Sequence, residues 1–178
     1  AVLVSKTSHC LYEVLLKHAD GQLDCEIPVI ISNHPDLCSI ATEFHIPFYQ
    51  IDTLKGKEAC EKDIQALLEE YKIDLIVLAG FLVILSEDFV RKYDKKIINI
   101  HPSLLPAFKG KDAIKQAFDY GVKVYGCTIH YVDNSLDGGK IISQSAIAYD
   151  GNNIEELEQK IHSVEHTLYI NTIRELLN

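Results

Sequence analysis

Apolar positions fall into two rhythms that alternate along the first two thirds of the chain. Short unbroken apolar runs bounded by turn residues read as buried strands, and apolar residues three or four apart read as helix faces. Ala1 to Val4 is the first strand, and Leu11, Val14, Leu15 and Ala19 then recur at helical spacing. Ile27 to Ile31 is a second strand, Asp36 to Phe44 a short helix, and Ile46 to Ile51 a third strand. Lys57 to Tyr71 is an amphipathic helix with Ile64, Leu67 and Leu68 on its apolar side. Asp74 to Ala79, the most hydrophobic strand, leads through Gly80-Phe81 into the apolar run Leu82 to Leu85. Ser86 is placed to cap a helix reaching Tyr93, with Glu87 and Asp88 in its first turn. Ile97, Ile98 and Ile100 form the next strand, and Lys111 to Tyr120 a helix stopped by Gly121.

The rhythm then changes. Val124 to Val132 is a long strand, Asp133 to Gly139 a turn-rich acidic loop, and Lys140 to Ala148 another strand. That pair fits an antiparallel edge. Ile154 to Leu177 is a closing helix, with a break expected near Tyr169. Alternating strands and helices predict a Rossmann-like, doubly wound, mostly parallel α/β sheet. The whole of 1–178 is expected to be a single domain, with an antiparallel edge and a C-terminal helix.

Composition narrows the partners. With 47% apolar residues the chain can bury a sizeable core, and its net charge of -9 argues against nucleic acid. A small anion remains compatible, because a local site can bind it against the global charge. No apolar run approaches the ~18 residues of a membrane span. Cys10, Cys25, Cys38, Cys60 and Cys127 are odd in number and lack CxxC spacing. Free thiols in a cytoplasmic protein without a metal site are the economical expectation. Small-molecule substrates and a monomer or homodimer complete it. The chain contains no Met and begins inside an apparent strand, so residues are expected to precede Ala1.

Candidate chemistry gathers where strands end. Asn99 and His101, two apart, share one face of an extended segment that Pro102 and Pro106 close. An imidazole can donate a proton near neutral pH, and an amide can hydrogen-bond a developing oxyanion. The alternative is a plain strand followed by a proline-rich loop. Ser5-Lys6-Thr7-Ser8-His9 joins a strand to a helix start. It reads equally as an anion site, with free N–H groups, helix dipole and Lys6 charge, or as an N-cap by Thr7 or Ser8. Asp137 is either a turn residue or a carboxylate working with His101. No Gly-x-Ser-x-Gly elbow or Cys–His motif indicates a covalent nucleophile.

Several stretches together resemble the folate-dependent formyltransferase family. They are Leu78-Ala79-Gly80-Phe81 with Ile84-Leu85-Ser86, Asn99 through Pro106, and Gly126-Cys127-Thr128-Ile129-His130 through Asp137-Gly138-Gly139. The resemblance implies 10-formyltetrahydrofolate as formyl donor and a catalytic triplet at Asn99, His101 and Asp137. It implies folate contacts at Leu78, Gly80, Phe81, Ile84, Leu85, Asp133, Asn134 and Leu136. It assigns Lys6, Thr7, Ser8, His9, Pro102 and Glu165 to the acceptor and its phosphate.

Within the family two acceptors stay open. Pro102, the Leu136-Asp137-Gly138-Gly139 loop and Glu165-His166 resemble the members that formylate the amine of glycinamide ribonucleotide, and this is the leading expectation. Those members carry Gly-Asn-Gly-Ser-Asn where this chain has Lys6-Thr7-Ser8-His9-Cys10. Ser5-Lys6 with His9-Cys10-Leu11, and Ser32 through Leu37, instead resemble the deformylases, which pass the formyl group to water.

Overall fold

The strand and helix order expected from the pattern is the order found in the computed structural model, which describes residues 1–178. It runs β1 (Val2–Val4), α1 (His9–Ala19), β2 (Ile30–Ser32), α2 (Cys38–Glu43), β3 (Phe48–Gln50), α3 (Lys57–Glu70), β4 (Ile76–Leu78), α4 (Glu87–Lys92) and β5 (Ile97–His101). It ends with α5 (Ala113–Tyr120), β6 (Val124–Tyr131), β7 (Ile141–Ala148) and α6 (Ile154–Leu177). The strands make one sheet in the order β3-β2-β1-β4-β5-β6-β7. β1 pairs parallel with both β2 and β4, and β2 with β3; β6 and β7 pair antiparallel. This is the expected mostly parallel α/β sheet with an antiparallel edge.

The chain divides into two compact units, Ala1–Ile98 and Asn99–Asn178. In the first, the three residues each of β1, β2 and β4 are all buried. Strands buried on both faces have no reason to alternate, so these read as continuous apolar runs. In the second, Ile114 and Ala117 of α5, Tyr125 of β6, and Leu157 and Ile161 of α6 form one core cluster with Tyr149.

Where elements are shorter than expected, backbone chemistry explains it. Pro28 and Pro47 lack an N–H, and β2 and β3 begin only after them. α5 starts after Asp112, whose φ of 56° is left-handed and outside any helix. The short turn Thr53–Lys55, unassigned in the pattern, is a 3₁₀ turn in which Asp52 accepts from the Leu54 N–H at 2.9 Å. Ser86 caps α4 as expected, accepting from the Phe89 N–H at 3.2 Å. Ser8 occupies the N-cap position of α1 but makes no side-chain cap bond. The break expected near Tyr169 is absent: α6 is continuous, and Tyr169 is buried within it. No helix is long and apolar enough to cross a membrane.

One buried hydroxyl holds the loop after β5 to β6. Thr128 Oγ1 donates to the Ser103 carbonyl at 2.7 Å and accepts from the Leu105 N–H at 3.0 Å. Gln144 donates to the same oxygen at 2.9 Å. Thr128→Val keeps the shape but leaves the Leu105 N–H and the Ser103 carbonyl only their longer 3.2 Å bond to each other, and removes an acceptor of Gln144; weakening buried polar groups in this way costs about 1–3 kcal/mol. Denaturant unfolding of Thr128→Val is expected to show a loss of about 2–3 kcal/mol at unchanged m-value.

Candidate active site

β5 delivers two polar side chains because its apolar run breaks at alternate positions. Ile97, Ile98 and Ile100 are buried, while Asn99 and His101 lie two apart on the extended backbone. His101 is itself buried. Its Nε2 donates to the Phe108 carbonyl at 2.8 Å, and its Nδ1 lies 3.4 Å from Asp137 Oδ2. A carbonyl only accepts, so Nε2 carries a proton and Nδ1 is the atom presented to the carboxylate.

Asp137 meets His101 from the loop before β7. Its φ of 45° is left-handed, which Asp tolerates better than most residues. Oδ2 also accepts from the Gly110 N–H at 2.7 Å. Gly138 and Gly139 follow because little else fits: a Cβ on Gly139 would sit 1.8 Å from the Tyr131 carbonyl oxygen. The loop after β5 is tightened by Ser103, whose hydroxyl donates to the Ala107 carbonyl at 2.6 Å. Phe108, at φ 54°, then turns its own carbonyl toward His101.

A fourth polar residue, His130, completes the cluster and was not singled out from the sequence. β6 and β7 change register between Ile129 and His130, an irregularity that re-aims a side chain. His130 Nδ1 donates to the Tyr131 carbonyl at 2.9 Å. Its Nε2 therefore accepts from Asn99 Nδ2 at 3.4 Å and lies 3.7 Å from Asp137 Oδ1. Burial lowers the His130 pKa and outweighs the raising effect of its Tyr131 bond and of Asp137, keeping the ring a neutral acceptor. That fixes the Asn99 amide with its nitrogen toward His130, leaving a second N–H to donate elsewhere. The only sequence signal for His130 was its place in the Gly126 to His130 strand.

The other expected residues fall into separate groups. In the first unit, Lys6, Thr7 and Ser8 are exposed in the loop after β1, and His9 opens α1. Leu78 ends β4, and Gly80, Phe81, Ile84 and Leu85 lie in the irregular segment that follows. These two stretches meet: a Cβ on Gly80 (φ 75°) would come within 2.3 Å of Thr7 Oγ1. Ser5 Oγ donates to Asn33 Oδ1 at 2.6 Å and accepts from the Leu82 N–H at 3.0 Å. In the second unit, Pro102 adjoins His101, and Asp133, Asn134 and Leu136 are exposed on the Asp137 loop. Asp133 accepts from both the N–H and the hydroxyl of Ser135. Also in the second unit, Glu165 lies within α6, with Oε2 buried and unpaired. Burial pushes its carboxyl up to about 8. Burial also pushes the Cys127 thiol up to about 12, far from a reactive thiolate.

The formyl transferase family model matches residues 1–173. The chain belongs to the formyl transferase family. Among its relatives, a formyltetrahydrofolate deformylase of Synechocystis is 43% identical over 98% of this chain and 62% of that protein. A phosphoribosylglycinamide formyltransferase of Bacillus subtilis is 38% identical over 99% and 93%. The crystal structure of glycinamide ribonucleotide transformylase 1 from Geobacillus kaustophilus superposes with a TM-score of 0.95 at 36% identity, covering 99% of this chain and 97% of that one. The chain spans about three fifths of the length of the deformylases it matches, 62% and 59% for two of them. The family's relatives are thus named for two reactions.

Glu165 yields a pH prediction. Its folded pKa is raised from 4.5 to about 8, so the folded state holds a proton that the unfolded state has released between those values. Stability falls as pH rises through that window, and is unaffected by this group below it. The loss at full ionisation is on the order of 5 kcal/mol. Glu165→Gln removes the slope, so denaturation at pH 5 and pH 8 is expected to separate the wild type more than the variant.

Proposed function

We propose that this chain transfers the formyl group of 10-formyltetrahydrofolate to the amine of glycinamide ribonucleotide. The observation that carries the reading is the contiguous set Asn99–His130–Asp137–His101, with a spare Asn99 N–H and a carboxylate-faced imidazole. The amine nitrogen bonds to the formyl carbon, and the former carbonyl oxygen becomes an oxyanion that Asn99 and His101 stabilise. The carbon–N10 bond then breaks. The attacking amine loses a proton and N10 gains one, with His101 as carrier and Asp137 orienting it.

Leu78, Gly80, Phe81, Ile84 and Leu85, with Asp133, Asn134 and Leu136, are assigned to the folate. Lys6, Thr7, Ser8, His9 and Pro102 are assigned to the ribonucleotide. Glu165, a buried carboxyl with an unpaired oxygen, suits a contact with the acceptor.

The second reading is hydrolysis of the same donor to formate. It is favoured by the Ser5–Asn33 bond, which joins the two deformylase-like stretches of the sequence into one physical feature. The loop it shapes has no glycine, and non-glycine residues restrict how closely backbone can approach a phosphate. Lys6 charge offsets this, although a flexible ammonium positions a phosphate less well than a fixed ring of N–H groups.

The deciding assay follows donor consumption with and without glycinamide ribonucleotide. Transfer requires the ribonucleotide, and Lys6→Ala raises the KM for it while sparing that for the donor. Equally fast consumption in its absence replaces the transferase with the deformylase.

His101→Ala is expected to lower kcat about 10²–10⁴-fold under either reading, the usual range for a positioned acid–base group. Near-normal turnover by folded His101→Ala removes the catalytic assignment.

A further inference from the structure

The segment from Phe81 to Leu85, between β4 and α4, has no regular structure, yet it presents apolar side chains to solvent. Leu82 and Ile84 are 78% and 75% exposed. The main-chain groups of Val83, Ile84 and Leu85 form no hydrogen bond within the protein. A strip with exposed apolar side chains and unpaired N–H and C=O groups can receive the edge of a flat heteroaromatic ring. Such a strip is useful only if its course is fixed, because a mobile one must first be ordered by its ligand.

Its fastenings lie at its two ends. At the start, the Leu82 N–H donates to Ser5 Oγ at 3.0 Å. At the far end a carboxylate from another helix takes over. Glu61 of α3 is buried, and its Oε1 accepts from the Ser86 N–H at 2.6 Å while its Oε2 accepts from the Ser86 hydroxyl at 2.5 Å. The same hydroxyl oxygen accepts from the Phe89 N–H as the cap of α4. An ordinary Ser cap needs no buried carboxylate behind it. Two short charge-assisted bonds to one residue fix its position and orientation more firmly than a cap alone.

We propose that Glu61 is a positioning residue for the formyl donor, holding the end of the 81–85 strip so that its free main-chain groups face the ligand in one conformation. The proposal rests on the assignment of this strip to the folate and extends it to a residue that touches no substrate.

The two fastenings differ in what else they hold. Ser5 also bonds Asn33 and sits in the loop assigned to the acceptor, whereas both Glu61 oxygens bond only Ser86, where the strip meets the cap of α4. Glu61→Ala is therefore expected to raise the donor KM about tenfold, the equivalent of one strong contact. It should leave kcat within about twofold, measured with whichever acceptor, ribonucleotide or water, supports turnover. Glu61→Gln, which can still accept from the Ser86 N–H, should recover most of the donor affinity. Ser86→Ala keeps that main-chain bond and loses only the hydroxyl bond. It should raise the donor KM less, about threefold, and supplies the readout if Glu61→Ala does not fold.

An unchanged donor KM in folded Glu61→Ala, or in Ser86→Ala where that variant stands in, overturns the proposal. So does an equal fall in kcat and in donor affinity, which marks general disruption. A wild-type protein that neither binds nor consumes 10-formyltetrahydrofolate overturns the folate assignment itself, and is recognisable before any variant is made.

Discussion

The carboxylate of Asp137 is the constraint on which the polar cluster depends. One oxygen faces His101 Nδ1 and takes the Gly110 N–H, and the other faces His130 Nε2. Three separate stretches, β5, the loop that follows it and the end of β6, are thus referred to one charged group. A part-buried anion needs donors for its lone pairs, and the one donor held against it within the cluster is the fixed Gly110 N–H. The left-handed backbone at Asp137 and the glycines after it follow from that requirement, since the loop must turn sharply to aim the group inward.

The second histidine shows how a neutral partner can matter as much as a charged one. Burial keeps His130 an acceptor at Nε2, and this orients the Asn99 amide. Were the ring charged, Nε2 would carry a proton, its bond from Asn99 would be lost, and the amide would have no reason to hold its nitrogen there. The Tyr131 carbonyl, by holding the other ring nitrogen, selects the tautomer that makes this work.

The first unit solves a different problem with hydroxyls and one buried carboxylate. Three strand-end loops, after β1, β2 and β4, are tied through Ser5 and Asn33. In place of a glycine-rich turn the chain uses a buried serine whose single hydroxyl both donates and accepts. Family membership therefore coexists with relatives that are named for two reactions.

Much of this was legible from the sequence alone. Strand and helix order, the parallel sheet with its antiparallel edge, and the pairing of Asn99 with His101 follow from hydrophobic period and from the alternation of side chains along a strand. Those are local rules, and local rules are written in neighbouring residues. The Ser86 cap was legible for the same reason. The roles of His130, Thr128 and Glu61 were not, because each depends on a partner between 23 and 31 positions away in the chain for the first two and on Ser86, 25 positions away, for the third. The expected break at Tyr169 failed for a related reason: Tyr169 is buried in the packing of the second unit, and α6 runs on through it. The sequence by itself determined which elements form and which chemistry-bearing residues lie at their ends. Only the tertiary structure decided which of those residues meet, since hydrogen bonds between distant segments depend on register, on bulges and on left-handed turns that no local period encodes.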